Sequence, residues 1–557
     1  MTHRVGLRVV LGCLTATAAC SGDHAAGPST PTCSSALASQ VVLAVAAYTS
    51  IDPASGAGCI EFGANASAVD SAEYLLVPLS ASSAPNVSSP FRLQAVALQP
   101  SAPLSAAMQA SPPQRSAAVS FDMFLRRAGA TRTYGVPPTA GPTSGPTAVR
   151  VAAAPPTLGS LRTFKVCGDL TCSAAAFKTV GARVQSLGNH VAVYVDTLAP
   201  ANGLTAADLD TIRAEFDTIL YPIDTTAFGR ETDVDANGVV VVLMTGVVNA
   251  LTTRAQCTAS GGAYIAGFFF PADLDPLVRA QYNNGEIFYS VVADSAGTLS
   301  CAHSRASVKG STPSTFTHEF QHMISFAQHV VVHSGDSEEG WLDEGLSKYA
   351  EEIAGRYYLQ GADTVTFSRY AFDDVYDAYQ YLSATGGTPL LIPLDQGTLA
   401  EIGASWLFVR YAVDRYGDSL PRKLDGSTLR GAANVQAQTG QPFETLVARW
   451  ALANWVSDLP GFTAPAELTY SSWHFRRTFA SLNSQDPAHF ARPYPVVPTA
   501  GAGSAVNLSG TLFAGSGVYQ RALQGPSGPQ FGLFYSRNGS ALLPASIVPR
   551  LAVIRIR

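Results

Sequence analysis

The segment from Ser314 to Phe326, S-T-F-T-H-E-F-Q-H-M-I-S-F, sets polar side chains into an otherwise apolar helical pattern. His318 and His322 are four positions apart, so on an α-helix they lie on one face and can bind one zinc ion. Glu319 stands beside them, where a carboxylate can act as general base on a zinc-activated water. Because such side chains are costly inside a buried helix without a metal or a polar network, the fold must build a polar site here.

The size and composition of the chain restrict the class of protein. Its 557 residues indicate roughly two to four domains. Hydrophobic residues make up 47% and charged residues 14%, so the chain can bury large cores. The net charge of -6 argues against nucleic acid as a main partner, because no basic surplus exists to replace counterions.

Residues 1–20 have the pattern of a bacterial export signal. Arg4 and Arg8 precede an apolar run that is well short of the ~20 residues that a membrane span needs. Small residues precede Cys20 as in a lipobox, although Thr17 stands where such boxes usually carry Leu. We expect lipid attachment at Cys20 and a place in the cell envelope, or secretion if Cys20 is not acylated. Later stretches are too short or too polar to cross a bilayer, so we expect no transmembrane helix after the signal.

Export would place the six cysteines after Cys20 in an oxidising compartment, where an even number indicates disulfides. Zinc binding by these thiols is the weaker hypothesis, because the chain has no C-x-x-C pair. Sequence alone does not choose among the pairings. Pairing of neighbours is the simplest hypothesis: Cys33–Cys59, Cys167–Cys172 and Cys257–Cys301.

Changes in composition divide the chain. Residues 21–35 are small and polar and predict a tether. Short apolar runs between turn residues predict a β-sandwich-like module over 36–128 and a second β module over 461–557. Residues 129–160 are dense in Pro, Gly, Ala and Thr, which is typical of a linker and compatible with a processing site.

Residues 161–460 combine predicted strands and helices, and helices dominate their second half. Apolar spacing of 3.6 residues predicts core helices over 400–417 and 442–456. The fold class that we predict is multidomain, with an α+β domain between two all-β modules. The segment N-N-G-E-I-F-Y-S-V-V-A-D, residues 283–294, is predicted to be a strand that could pair with an extended peptide.

The segment D-V-D-A-N-G carries Asp233, Asp235 and Asn237 in alternation, like the start of an EF-hand calcium loop. The rest of that loop is missing, including a Glu at its twelfth position. An Asx-rich turn is therefore favoured over a calcium site.

A catalytic zinc site needs a third protein ligand and an open fourth position. His329 misses the metzincin register H-E-x-x-H-x-x-G-x-x-H by one, since Ser325 and Gln328 stand where Gly and His belong. Glu344 is the better candidate. It lies 22 positions after His322, within W-L-D-E-G-L at the start of a second predicted helix.

These segments resemble the gluzincin metallopeptidases, in which a glutamate on a second helix completes the zinc site. T-H-E-F-Q-H-M-I-S-F, W-L-D-E-G-L-S-K-Y-A-E-E and G-A-S-W-L-F-V-R-Y resemble the hyicolysin family in particular, over roughly residues 160–460. The resemblance implies a zincin-like domain and an exported zinc peptidase that acts on proteins or peptides. It implies His318, His322 and Glu344 as zinc ligands and Glu319 as general base. An endopeptidase is preferred over an aminopeptidase, because the G-x-M-E-N signature that binds a free N-terminus is absent.

The same resemblance implies further residues that orient the zinc ligands or stabilise the oxyanion. Asp343 and Glu351 are candidates to orient a ligand histidine by a hydrogen bond. A Tyr or His that stabilises the oxyanion is also expected. In relatives a Tyr commonly stands just before the G-A-S segment, where this chain has Ile402. Three nearby tyrosines are the candidate substitutes: Tyr376, Tyr379 and Tyr381.

The missing tyrosine and the two β modules keep a second hypothesis open. In it the chain is a surface lipoprotein whose peptidase-like domain has impaired catalysis and acts in binding or adhesion. Absence of cleavage across a broad peptide library would favour this alternative over the endopeptidase.

Overall fold

The computed structural model of the protein describes residues 33, 38–96, 116–135, 155–259, 263–393 and 397–557. The predicted signal over 1–20, with its lipid-attachment site Cys20, lies outside the described residues. So do most of the tether over 21–35 and residues 136–154 of the predicted linker. Predictions about export and lipid attachment therefore stay predictions.

The strands occur in three groups along the described chain, near its beginning, in its middle and at its end. They are β1 (Ser39–Val41), β2 (Tyr48–Ile51), β3 (Cys59–Phe62), β4 (Ala72–Ser80), β5 (Ser88–Ala95), β6 (Leu161–Val166), β7 (Lys178–Leu187), β8 (Val191–Asp196), β9 (Val240–Met244), β10 (Gly267–Phe269), β11 (Ile287–Ser290), β12 (Thr499–Ala502), β13 (Asn507–Phe513), β14 (Gln520–Gln524), β15 (Phe531–Ser536) and β16 (Pro549–Arg555). The middle group forms one sheet, and the first and last groups share two others.

The helices lie mainly between the second and third groups of strands. They are α1 (Ala117–Thr131), α2 (Ala206–Glu215), α3 (Tyr221–Ala227), α4 (Gly246–Ala250), α5 (Arg254–Thr258), α6 (Arg305–Phe326), α7 (Gly340–Leu359), α8 (Thr364–Ser383), α9 (Leu399–Tyr416), α10 (Leu420–Asp425), α11 (Gly431–Thr439), α12 (Phe443–Val456) and α13 (Phe475–Gln485). Within the described ranges, none of them is both long enough and apolar enough for a membrane span.

The middle sheet has the strand order β10-β11-β9-β8-β7-β6. Strand β9, V-V-V-L-M, is buried at all five positions and pairs in parallel with β8 and β11, as expected for a strand covered on both faces. Helix α6 packs on this sheet through Phe316, whose ring centroid lies 5.0 Å from that of Phe288 on β11. The sheet thereby positions the helix that carries H-E-F-Q-H.

The β-strands from the two ends of the chain form common sheets, with strand orders β1-β3-β15-β5-β13 and β12-β14-β4-β16-β2. This differs from the two separate β modules expected over 36–128 and 461–557. The physical reason is visible at β4, which is buried at all nine positions and therefore needs partners on both edges. Those partners, β14 and β16, both come from the end of the chain.

Two helices lie where strands or a linker were expected. Helix α1 spans the boundary between the predicted module over 36–128 and the predicted linker over 129–160, and its first turn is capped by the Ser116 hydroxyl, which accepts from the Val119 N–H. Helix α13 lies within 461–557. Both helices pack apolar side chains into the large core that also contains the middle sheet, and sequence composition does not report that tertiary packing.

The helical second half of the middle region has its predicted form. Helices α9 and α12 lie at the segments where the apolar spacing predicts them. Trp406 and Trp450 on these helices are fully buried. The structure also contains the three disulfides that pairing of neighbours predicts: Cys33–Cys59, Cys167–Cys172 and Cys257–Cys301.

Candidate metal centre

Helices α6 and α7 bring three metal-binding side chains to one point. The Nε2 atoms of His318 and His322 are 3.2 Å apart. From α7, Glu344 places Oε2 at 3.6 Å from His318 Nε2 and Oε1 at 3.6 Å from His322 Nε2. Tetrahedral zinc with bonds of about 2.0–2.2 Å sets its ligand atoms about 3.3–3.5 Å apart. The three side chains therefore fit one zinc ion without a change of backbone.

A carboxylate lies behind each histidine. His318 Nδ1 is hydrogen-bonded to Glu351 Oε1 at 2.8 Å, and His322 Nδ1 lies 2.9 Å from Asp343 Oδ2. With Nδ1 protonated toward a carboxylate, each ring presents its Nε2 lone pair to a metal. Asp343 and Glu351 are the two residues that sequence analysis put forward for this role.

Lys348 supports Glu351 in turn and was not singled out from the sequence. Its Nζ atom lies 3.0 Å from Glu351 Oε1 and 3.3 Å from Asp374 Oδ1. The i, i+3 spacing of Lys348 and Glu351 is visible in the sequence, but the contribution of Asp374 from α8 is a tertiary contact.

The carboxylates of the site are held in their charged form. Burial alone would raise the pKa of Glu344, but the neighbouring His322, His318 and Arg126 lower it to about 2. Burial likewise opposes ionisation of Asp343, and His322 and Arg126 lower its pKa to about 2. Both groups are therefore anionic at neutral pH, which suits a divalent cation.

Two buried carboxylate oxygens of the site have no hydrogen-bond partner in the described part of the chain, Asp343 Oδ1 and Glu344 Oε1. Buried carboxylate oxygens are almost always paired in proteins, so an unpaired one calls for an ion or water. Glu344 itself is only 1% exposed. Glu344 Oε1 lies 3.6 Å from His322 Nε2, and a metal ion bound between them would satisfy it.

Glu319 is fixed beside the metal position by the edge of the middle sheet. Its Oε2 atom accepts a hydrogen bond of 2.9 Å from the backbone N–H of Phe269, on β10. The side chain is 4% exposed. Strand β10 is the edge of the sheet, and β11 lies inside it between β10 and β9. The strand predicted over 283–294 is therefore paired on both edges and has no free edge for a peptide, and β10 is buried along its whole length.

Close packing of α9 against α7 depends on Gly345, which follows Glu344. A Cβ atom at Gly345 would lie 2.8 Å from the Ser405 carbonyl oxygen on α9. Glycine is therefore required for this approach, and the approach fixes the turn of α7 that carries Glu344. This gives the W-L-D-E-G segment a structural as well as a chemical role.

Helix α1 adds a cation that sequence analysis did not foresee. The Arg126 guanidinium places Nη1 at 3.4 Å from Asp343 Oδ2, Nε at 3.9 Å from Glu344 Oε1 and Nη2 at 4.0 Å from Glu319 Oε2. Arg126 is 6% exposed. The only signal in the sequence is the i, i+4 pair of Asp122 and Arg126, inside a segment assigned there to a β module.

The three candidate oxyanion donors have other partners. The Tyr379 hydroxyl accepts from the Arg492 N–H at 2.7 Å, and the Tyr381 ring stacks on Trp450 with centroids 5.4 Å apart. Tyr376 packs its ring 5.5 Å from that of Phe490. These contacts give the tyrosines packing roles, and an oxyanion donor among them stays an untested prediction.

His329, which the spacing excluded as a ligand, lies in a separate buried cluster. Its Nε2 atom is 3.7 Å from Glu338 Oε2. Burial lowers the pKa of His329 to about 4 and raises that of Glu338 to about 8. A neutral imidazole beside a neutral carboxyl group is consistent with a structural role near pH 7.

The predicted calcium or Asx loop lies next to a third acid, Glu286, which precedes β11. Carboxylate oxygens of Asp233, Asp235 and Glu286 lie within 4.8 Å of one another, and Asn237 Nδ2 donates to Asp235 Oδ2 at 2.9 Å. Asn237 and Gly238 donate backbone N–H groups to Asp233, and Arg162 Nη1 lies 3.5 Å from Asp235 Oδ2. These contacts agree with the favoured Asx turn, and calcium binding stays untested.

Comparison with known proteins agrees with the chemistry of the metal centre. No family model matches the chain. The chain is 30% identical over 160 residues to the neutral metalloprotease ShpI of Staphylococcus hyicus, a match that covers 28% of this chain and 33% of that protein. The chain thus spans about a third of the curated relative that it matches. The similarity supports a distant metallopeptidase relationship over the 160 matched residues.

Proposed function

We propose that the protein is a zinc-dependent endopeptidase of gluzincin type, with His318, His322 and Glu344 as zinc ligands and Glu319 as general base. The observation that carries this proposal is the triangle of ligand atoms at 3.2 to 3.6 Å. The likeness to a neutral metalloprotease supports it independently. Its substrates would be proteins or peptides. The hyicolysin-like motifs of the sequence are compatible with both lines of support.

When bound, zinc would polarise the scissile carbonyl and acidify the attacking water. Glu319 would accept a proton from that water and pass it to the leaving amine, and its hydrogen bond from Phe269 keeps the carboxylate in place for both transfers. Glu351 and Asp343 would hold the histidine rings with Nε2 toward the ion.

The test is the substitution Glu319→Ala, with Glu61→Gln in the β-sandwich as a control. Metal analysis should find one zinc per chain in both variants, because neither residue is a ligand. Hydrolysis of a broad peptide library should fall by at least about a hundredfold in Glu319→Ala alone, the usual contribution of a general base.

Hydrolysis that survives Glu319→Ala, or that survives removal of zinc by a chelator, would reject the proposal. Zinc binding without any cleavage, in the wild type and in the opened variants described below, would instead favour the alternative of a catalytically impaired binding or adhesive protein.

A further inference from the structure

We propose that helix α1 is a built-in inhibitor of the metal site, so that the activity of the wild-type chain stays low until α1 is displaced. This inference rests on the proposed peptidase function. It concerns the regulation of that site.

The first argument is the position of Arg126. Its guanidinium lies within 4.0 Å of carboxylate oxygens of Glu319, Asp343 and Glu344. Its positive charge and its bulk thereby lie among the acidic side chains of the site. The guanidinium also fills space between the base and a ligand, where a substrate carbonyl would have to enter.

A second argument is the face of α1 that Arg126 shares with Asp122. Residues four apart lie on one face of a helix, so Asp122 is directed to the same side one turn earlier. The helix therefore directs both a carboxyl group and a guanidinium to the side of α1 that faces the site.

The third argument is that α1 packs against both β10 and α7. The Phe121 ring packs edge-to-face on Phe268 of β10, with centroids 5.2 Å apart. A Cβ atom at Gly340, the first residue of α7, would lie 2.9 Å from Met123 Cε. Helix α1 thus touches both the strand that carries the Glu319 hydrogen bond and the helix that carries Glu344.

The fourth argument is that strand pairing does not depend on α1. It contributes to none of the three sheets, so its departure breaks no strand pairing. By contrast, α6 and α7 hold all three proposed ligands and the base. Displacement of α1 would therefore open the site and leave the ligand set in place.

The first experiment uses the wild-type full chain loaded with zinc. A peptide hydroxamate, which binds zinc in the cleft, is titrated in by calorimetry while trypsin cleavage after Arg127 is followed by mass spectrometry. Because bound hydroxamate and seated α1 exclude one another, saturating hydroxamate should speed cleavage after Arg127 at least tenfold. Hydroxamate that binds without changing this cleavage rate overturns the proposal.

The second experiment compares Arg126→Ala with Arg127→Ala, a change of the same size and charge one position along the helix. Arg127 lies over the Phe124 ring at 5.8 Å. Arg126→Ala should bind the hydroxamate at least tenfold more tightly than the wild type and hydrolyse a quenched peptide at least tenfold faster. Arg127→Ala should match the wild type in both measurements.

Phe121→Ala weakens the packing of α1 on β10 and leaves the charged side chains unchanged. Like Arg126→Ala, it should therefore raise both hydroxamate affinity and peptide hydrolysis. If Arg126→Ala and Phe121→Ala unfold at the wild-type temperature, retain zinc and yet gain neither affinity nor activity, α1 is a permanent part of the site. If none of these proteins hydrolyses peptides, the peptidase function fails, and the hydroxamate and trypsin measurements still decide whether α1 covers the metal.

Discussion

Each histidine of the metal centre meets a different carboxylate through Nδ1, and the two carboxylates come from one helix. Asp343 and Glu351 are eight positions apart on α7 and flank Glu344 on that helix. One rigid element thus supplies a ligand and both orienting groups. A shift of α7 would therefore change all three contacts together. The close packing of α7 against α9 at Gly345 restricts such a shift.

The residue Glu286 gives a prediction on pH dependence. It is 1% exposed, and burial raises the pKa of its carboxyl to about 7. The folded state thus binds this proton more tightly than the unfolded state, so its stability falls as pH rises from about 4.5 to about 7. The loss is on the order of 3 kcal/mol. Glu286→Gln should remove this loss and be more stable than the wild type at pH 8.

Urea unfolding at pH 5 and pH 8 measures the effect, and Glu61→Gln in the sandwich is the matched control. The free energy of unfolding of Glu286→Gln should change less between the two pH values than that of the wild type. Equal pH dependence of the free energy of unfolding in Glu286→Gln and the wild type would show that folding does not raise the pKa of Glu286.

Residues of the centre differ in how far sequence predicts them. His318 and His322 come together because spacing within one helix is local, and Glu344 follows because W-L-D-E-G-L marks the next helix. Arg126 could not be predicted as a neighbour, since its place depends on the docking of α1. Spacing along the chain carries no information on that docking.

Helices α7, α8 and α9 approach one another closely at glycines. The added Cβ of Gly403, on α9, would overlap the backbone of Asp377 on α8. Gly355 of α7 similarly faces Tyr370, where a Cβ would lie 2.9 Å from the tyrosine Cβ. Gly355 thus lies inside α7, which continues to Leu359, and serves helix packing there.

The substitution Gly403→Ala tests this packing, with Gly310→Ala in α6 as its control. Gly310 has open space around its Cβ position. Gly403→Ala should lower the free energy of unfolding by about 1–3 kcal/mol, the usual cost of overpacking, because the backbones must separate. Gly310→Ala should raise it by about 0.5–1 kcal/mol, since alanine is the better helix former.

Chemical denaturation followed by circular dichroism separates the two outcomes. If Gly403→Ala is as stable as Gly310→Ala, then α8 and α9 are not in direct contact at this point. The apolar periodicity of the sequence predicts helix α9. It does not predict how close α9 lies to α8.

At the scale of the whole molecule, the two ends of the chain form one sandwich. Its core joins them directly: the Phe62 ring stacks on Phe531 with centroids 4.5 Å apart. The Glu73 N–H donates to the Arg557 carbonyl at 3.0 Å. The sandwich also contacts the helical region, where the Tyr519 hydroxyl donates to the Ala451 carbonyl on α12 at 2.7 Å. Short strands and turns were predictable at both ends, but strand partners so distant in sequence were not.

A cut between residues 97 and 115 tests this arrangement. A recognition sequence for a specific protease is inserted there, and the purified protein is cleaved under native conditions. The N-terminal fragment should remain bound to the rest, because β2, β3, β4 and β5 are each hydrogen-bonded to a strand of the last group.

Size-exclusion chromatography followed by denaturing gels decides the result. The disulfide Cys33–Cys59 lies wholly within the N-terminal fragment, so no covalent bond retains it. Co-elution of the two fragments in native buffer and their separation in urea would support one composite sandwich. Separate elution in native buffer would instead mean that the two ends fold as independent β modules, and that the shared sheets do not hold the molecule together.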